Sequence, residues 1–126
     1  MAGTVLVLGS YNQDHVWSAD DLPAPGATRL GSYASGPGGK GFNQAVAARR
    51  AGAGTRFVCA LGDDPGAQLA RALCAADGIA LAAQPSTAPT GTAGIYVDAA
   101  GRNCIVVGAG ANAALDADFA ATHVGD

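Results

Sequence analysis

Gly36-Pro37-Gly38-Gly39-Lys40-Gly41-Phe42-Asn43-Gln44-Ala45-Val46-Ala47-Ala48-Arg49-Arg50 reads as a glycine loop running directly into a helix. From Phe42 to Arg50, the positions Phe42, Ala45, Val46 and Ala48 recur at the spacing that lines one side of a helix. Arg49 and Arg50 suit the negative end of the helix dipole, and Gly52 fits the left-handed position just beyond it. Glycine at 38, 39 and 41 lets the backbone approach a ligand closely.

Working outward, Thr4 to Leu8 is a β-branched and leucine run ending at Gly9, which predicts a strand buried on both faces. Arg56 to Leu61 predicts the next strand. Asp64 as N-cap and Pro65 in the first turn then open a helix to about Ala76. Ile79 to Ala83 reads as a short strand, and Ala113 to Thr122 as the start of a further helix. Strands alternating with helices predict an α/β sheet.

Other segments do not fit that alternation. His15 to Ser18 and Thr28 to Ser35 read as short strands, separated by the breakers Pro23, Pro25 and Gly26. Gly91 to Asp98 and Asn103 to Val107 flank Ala99-Ala100-Gly101-Arg102, a hairpin signal. These four predict a small separate β-sheet beside the main one. A doubly wound sheet needs more strand–helix units than are present, so the chain is expected to be a piece of a larger fold.

Composition narrows the function. The 126 residues are 49% hydrophobic and 13% charged, with net charge −3, a globular composition. The basic residues are scattered, which argues against a nucleic-acid footprint. Val5 to Leu8 is too short for a signal core, no stretch approaches a membrane span, and no membrane partner is expected. Cys59, Cys74 and Cys104 have no metal or redox spacing and read as buried, reduced thiols of a cytoplasmic protein. Lys40 is the sole lysine beside six arginines, and it stands out because a compact point charge differs from a planar fork.

Two clusters carry candidate chemistry: Gly9-Ser10-Tyr11-Asn12-Gln13-Asp14 after the first strand, and the glycine–lysine loop. Small ligands of open α/β sheets bind beyond the carboxyl ends of the strands. Asn12 and Asp14 sit there, two apart, so an extended stretch points both to one side. A carboxylate accepts two hydrogen bonds and an amide both donates and accepts, which suits vicinal hydroxyls. Lys40 and Asn43 add donors at the helix start. The plain alternatives are an Asx turn at Asn12–Asp14 and a simple turn leading into a helix at Gly36–Gly41. A phosphate-binding P-loop would need Gly at 34 and Ser or Thr at 41, where Ala34 and Gly41 stand. Tyr11 and Asp14 occupy glycine positions of a dinucleotide fingerprint.

Val5 to Asp14, Pro23 to Gly26, Gly38 to Ala48, Arg50 to Ala53, Leu61 to Gly66 and Gly110 to Leu115 together resemble, in order, the N-terminal portion of the ribokinase-like PfkB carbohydrate kinase family. The resemblance covers nearly the whole chain. It implies an incomplete doubly wound α/β fold with a small β lid, built from strands near 15–18, 28–35, 91–98 and 103–107 in one domain over 1–126. It implies sugar ligands at Asn12, Asp14, Gly39, Lys40 and Asn43, ribose as the sugar, and a homodimer contact through the lid. The implied reaction is ATP-dependent phosphorylation of D-ribose to ribose 5-phosphate, with Mg²⁺ and K⁺ in the full-length enzyme. The relatives of that reaction within the family, other sugar and nucleoside kinases, remain open, as does a non-catalytic sugar-binding module. The family's catalytic aspartate follows Gly-Ala-Gly. Here Gly108-Ala109-Gly110 is followed by Ala111 and Gly52-Ala53-Gly54 by Thr55. The base, the ATP site and the cation sites are therefore expected downstream, and this chain alone is expected to be inactive.

Overall fold

In a computed structural model, residues 3–125 are described; positions 1, 2 and 126 of the expected domain lie outside the described residues. Two sheets share the chain. A three-stranded parallel sheet has the order β1 (Thr4–Leu8), β4 (Gly54–Leu61), β5 (Ala80–Pro85). A four-stranded sheet has the order β3 (Ser32–Gly38), β2 (Asn12–Ser18), β6 (Thr92–Val97), β7 (Asn103–Gly108). Helices α1 (Lys40–Arg50) and α2 (Pro65–Asp77) connect the parallel strands, and a short 3-10 helix (Gly110–Ala114) precedes α3 (Ala117–His123).

The core lies between the parallel sheet and α1 with α2. On β4, Phe57, Cys59 and Leu61 alternate onto the helix side, where they meet Phe42, Ala45, Ala67, Ala70 and Cys74. Phe57 is fully buried, so its whole ring is removed from water in the core. Val58 and Ala60 on the other face are also fully buried.

Local chemistry sets the element ends as expected in several places. Asp64 caps α2 by accepting from the Ala67 N–H at 3.0 Å, and Pro65 occupies the first turn. Gly52 takes φ +99° just past α1. The β6–β7 turn is closed by the buried Asp98 carboxylate, which accepts from the N–H groups of Ala100 and Arg102 and from Arg102 Nε.

Several expectations need correction. The strand expected over 15–18 begins at Asn12, and that expected over 28–35 runs from Ser32 to Gly38. Gly36-Pro37-Gly38 is thus strand and not loop. Proline is tolerated because β3 is an edge strand. β1 is not buried on both faces: Val7 is buried, while Val5 and Leu8 are 37% and 49% exposed, because β1 is an edge of its sheet. Cys104 is exposed on the edge strand β7, and all three cysteines are free. The helix expected from Ala113 is interrupted at Leu115, where the backbone turns extended, and restarts with Asp116 as its cap.

Candidate sugar site between the two sheets

Four chain crossings pass from the parallel sheet to the second sheet or back: Gly9–Tyr11, Gly38–Gly39, Ser86–Gly91 and Ala109. Of the predicted ligands, Asn12, Asp14 and Gly39 lie at or beside these crossings. Asn12 pairs with Gly38 and Asp14 with Gly36, so Asn12 and Asp14 occupy one face of β2. The Asp14 carboxylate lies directly over Gly38, where a β-carbon would overlap it. Gly39 turns the chain with φ +94°, and its backbone packs on Ser10 O and Asn12 N. A side chain at Gly41 would strike the backbone of Gly9 and Ser10, and the Phe42 N–H donates to Ser10 O at 3.1 Å. The start of α1 is therefore seated on the end of β1, beside Asn12. Glycine is required there by close approach, not by flexibility.

The Asp14 carboxylate packs on Gly38, and the Asn12 backbone pairs with Gly38 and lies against Gly39. Lys40 and Asn43 stand on the first turn and a half of α1, both exposed. Among the described residues neither side chain hydrogen-bonds to Asn12 or Asp14. Asn43 borders a groove with Pro37, Phe42, Val46 and Arg50 that includes neither of them. A cavity of about 480 Å³ is on the opposite face of the second sheet, lined by Gln13, His15, Ser35, Thr92 and the start of α2. It holds no predicted ligand.

Partial burial raises the Asp14 carboxyl above the ordinary value, and the nearby His15 opposes this. The Tyr11 hydroxyl beneath it is pushed up to about 12, first by burial and then by the Asp14 charge. Tyr11 is fully buried, edge-on to Phe42 at 5.2 Å, and its hydroxyl donates to Gln13 at 3.0 Å. It is a support and not a ligand.

One residue at this junction escaped the sequence reading. Asn112, in the 3-10 helix, accepts from Tyr11 N–H at 3.3 Å, donates to Tyr11 O at 3.1 Å and donates to Asn12 Oδ1 at 2.8 Å. The available signal was a polar side chain set among small residues in Gly110-Ala111-Asn112-Ala113-Ala114.

Over residues 2–124 the chain matches the profile of the pfkB family carbohydrate kinases. The chain belongs to the PfkB family. This PfkB chain is 41% identical over 118 residues to the ribokinase of Haemophilus influenzae, covering 91% of itself and 39% of that protein. It superposes on the ribokinase of Giardia lamblia with a TM-score of 0.90 at 40% identity, covering 97% of itself and 37% of that chain. An Arabidopsis thaliana ribokinase, solved with ribose and ATP, matches with a TM-score of 0.73 at 31% identity, over 89% of this chain and 38% of that one. The chain thus spans well under half the length of these relatives, and its fold is an incomplete ribokinase-like α/β fold.

Proposed function

We propose that this chain is the sugar-binding part of an ATP-dependent ribokinase that converts D-ribose to ribose 5-phosphate. The observation that carries the reading is the contact of Asn12 and Asp14 with the Gly38–Gly39 backbone at the start of α1. It joins, in one place, the carboxylate, amide and glycine–lysine segment that a polyol needs. The ribose and ATP bound by the Arabidopsis relative support the substrate and nucleotide classes.

In this reading Asp14 accepts from sugar hydroxyls, Asn12 hydrogen-bonds a neighbouring one, and Gly39, Lys40 and Asn43 close the site from α1. These groups orient the sugar hydroxyl for attack on the γ-phosphate, a contribution of position and not of proton transfer. ATP supplies the phosphoryl group from the part of the enzyme beyond this chain, and no step is assigned here to Mg²⁺ or K⁺; among the described residues no three His, Cys, Asp or Glu side chains converge.

The second sheet acts as a lid, excluding water from the reacting sugar, and pairs with a second copy. Its Asp14 face supports this, since register places Val16, Ile95 and Ile105, with Val107, on that face, and Ile105 and Val107 are more than half exposed. The cytoplasmic setting rests on three free cysteines.

Titration calorimetry with D-ribose tests the assignment. Wild-type chain is expected to bind, Lys40→Ala and Asp14→Ala to lose binding, and a mixture with ATP to release no ADP. Folded wild-type protein giving no heat with ribose, but heat with a nucleoside or another sugar, would move the assignment within the family.

A further inference from the structure

We infer that Asn112 is a positioning residue that fixes the amide of Asn12 so that its N–H groups, and not its carbonyl oxygen, face a sugar hydroxyl. This rests on the sugar-site reading above. A backbone N–H only donates and a backbone C=O only accepts. The Tyr11 N–H meets Asn112 Oδ1 at 3.3 Å, and Tyr11 O meets Asn112 Nδ2 at 3.1 Å. The orientation of the Asn112 amide, ordinarily a matter of inference from neighbours, is here dictated by the backbone. Its second Nδ2 hydrogen then points at Asn12 Oδ1, 2.8 Å away.

The consequence passes to Asn12. Its oxygen already receives a hydrogen bond, while its Nδ2 hydrogens have no protein acceptor among the described residues. Asp14, when ionised, is an acceptor only. The two side chains therefore offer one donor and one acceptor on the same strand face. That combination reads two adjacent hydroxyls, one accepting from Asn12 and the other donating to Asp14. The chemical class it selects is a vicinal diol.

Asn112 also stands where three crossings meet. Tyr11 is held through its main chain, the Ala111 N–H donates to Pro89 O at 2.7 Å, and the Gln13 N–H donates to Gly91 O at 2.8 Å. A β-carbon at Gly91 would overlap Asn112 Nδ2 and come within 2.5 Å of Asn12 Oδ1. The Asn12 rotamer is thus confined by packing as well as by the bond.

Side-chain amide exchange followed by nitrogen-15 NMR on the ligand-free chain tests the geometry. In wild type the Asn112 NH₂ is expected to be protected and the Asn12 NH₂ to exchange freely. Asn112→Asp offers acceptors only, so the Asn12 amide should turn over, donate to Asp and become protected. A protected Asn12 NH₂ in wild type, or one indifferent to the substitution, overturns the inference. The wild-type measurement needs no variant to fold. With D-ribose, Asn112→Asp is expected to weaken binding roughly tenfold and to have no further effect in an Asn12→Ala background. Losses that simply add in the double variant would show a general structural role and overturn the inference. Absence of ribose binding by wild type would remove the sugar-site reading, while the exchange measurement would still decide the orientation of Asn12.

Discussion

The carboxylate of Asp64 holds Thr90 at two points, accepting from its backbone N–H at 2.8 Å and from its hydroxyl at 2.7 Å. The same carboxylate caps α2, and Thr90 Oγ1 accepts from the Gly62 N–H at 3.0 Å. One side chain thereby ties the helix start to the crossing that carries the chain from β5 into β6.

Asp64→Ala is expected to destabilise the fold by about 1–2 kcal/mol, the usual cost of a lost cap. Burial would raise the Asp64 carboxyl, but the bonds from Thr90 and Ala67 outweigh it and hold it below the ordinary 3.8. A lowered folded-state value gives stability that is present above 3.8 and disappears as pH falls further. Thermal unfolding at pH 7, 5 and 3 checks this. Asp64→Asn should lose less stability between pH 5 and 3 than wild type, and equal slopes would contradict it. Asp14, raised by burial, has the opposite sign and is common to both proteins, so it cancels in the comparison.

Gly91→Ala, at the crossing into β6, and Gly36→Ala, in β3, make an informative pair. A β-carbon at Gly91 collides with Asn112 and Asn12, whereas one at Gly36 meets nothing within 4 Å. Overpacking predicts a loss of about 1–3 kcal/mol for Gly91→Ala and little change for Gly36→Ala. Chemical denaturation of the two variants measures the difference.

Thiol labelling should separate the cysteines. Cys59 and Cys74 are buried, and burial pushes the Cys59 thiol up to about 12 and Cys74 in the same direction. Cys104 is exposed. A disulfide reagent is expected to titrate one thiol in the native protein and three in denaturant, with the native reaction abolished by Cys104→Ser.

Self-association through the second sheet predicts a face-specific response. Ile105→Lys and Val107→Lys, on the Asp14 face, should shift sedimentation toward monomer. Val106→Lys, more exposed still but on the opposite face, should leave it unchanged. A shift caused by all three, or by Val106→Lys alone, would contradict the lid contact.

Local chemistry made much of the fold legible in advance. Asp64-Pro65 announced α2 because a cap acts within one turn, and Ala99 to Arg102 announced the β6–β7 turn for the same reason. The Gly36–Gly38 strand was hidden because its residues have no strand preference of their own. It pairs because β2 lies alongside, with the Asp14 carboxylate in the space a side chain at Gly38 would fill. The cover on β1 was misjudged because an apolar run records how hydrophobic a strand is, not what neighbours it. Asn112 was invisible in its role because its partner Asn12 is 100 residues away. The pair Asn12–Asp14 was legible since strand alternation alone puts both on one face.

Backbone amide shifts during a D-ribose titration, followed by nitrogen-15 NMR, address the sugar site most directly. The expected result is saturable shifts grouped at Asn12, Asp14, Gly39, Lys40 and Asn43. Shifts confined to Gln13, His15 and Thr92 on the far face of the second sheet, or none up to saturating sugar, would contradict it.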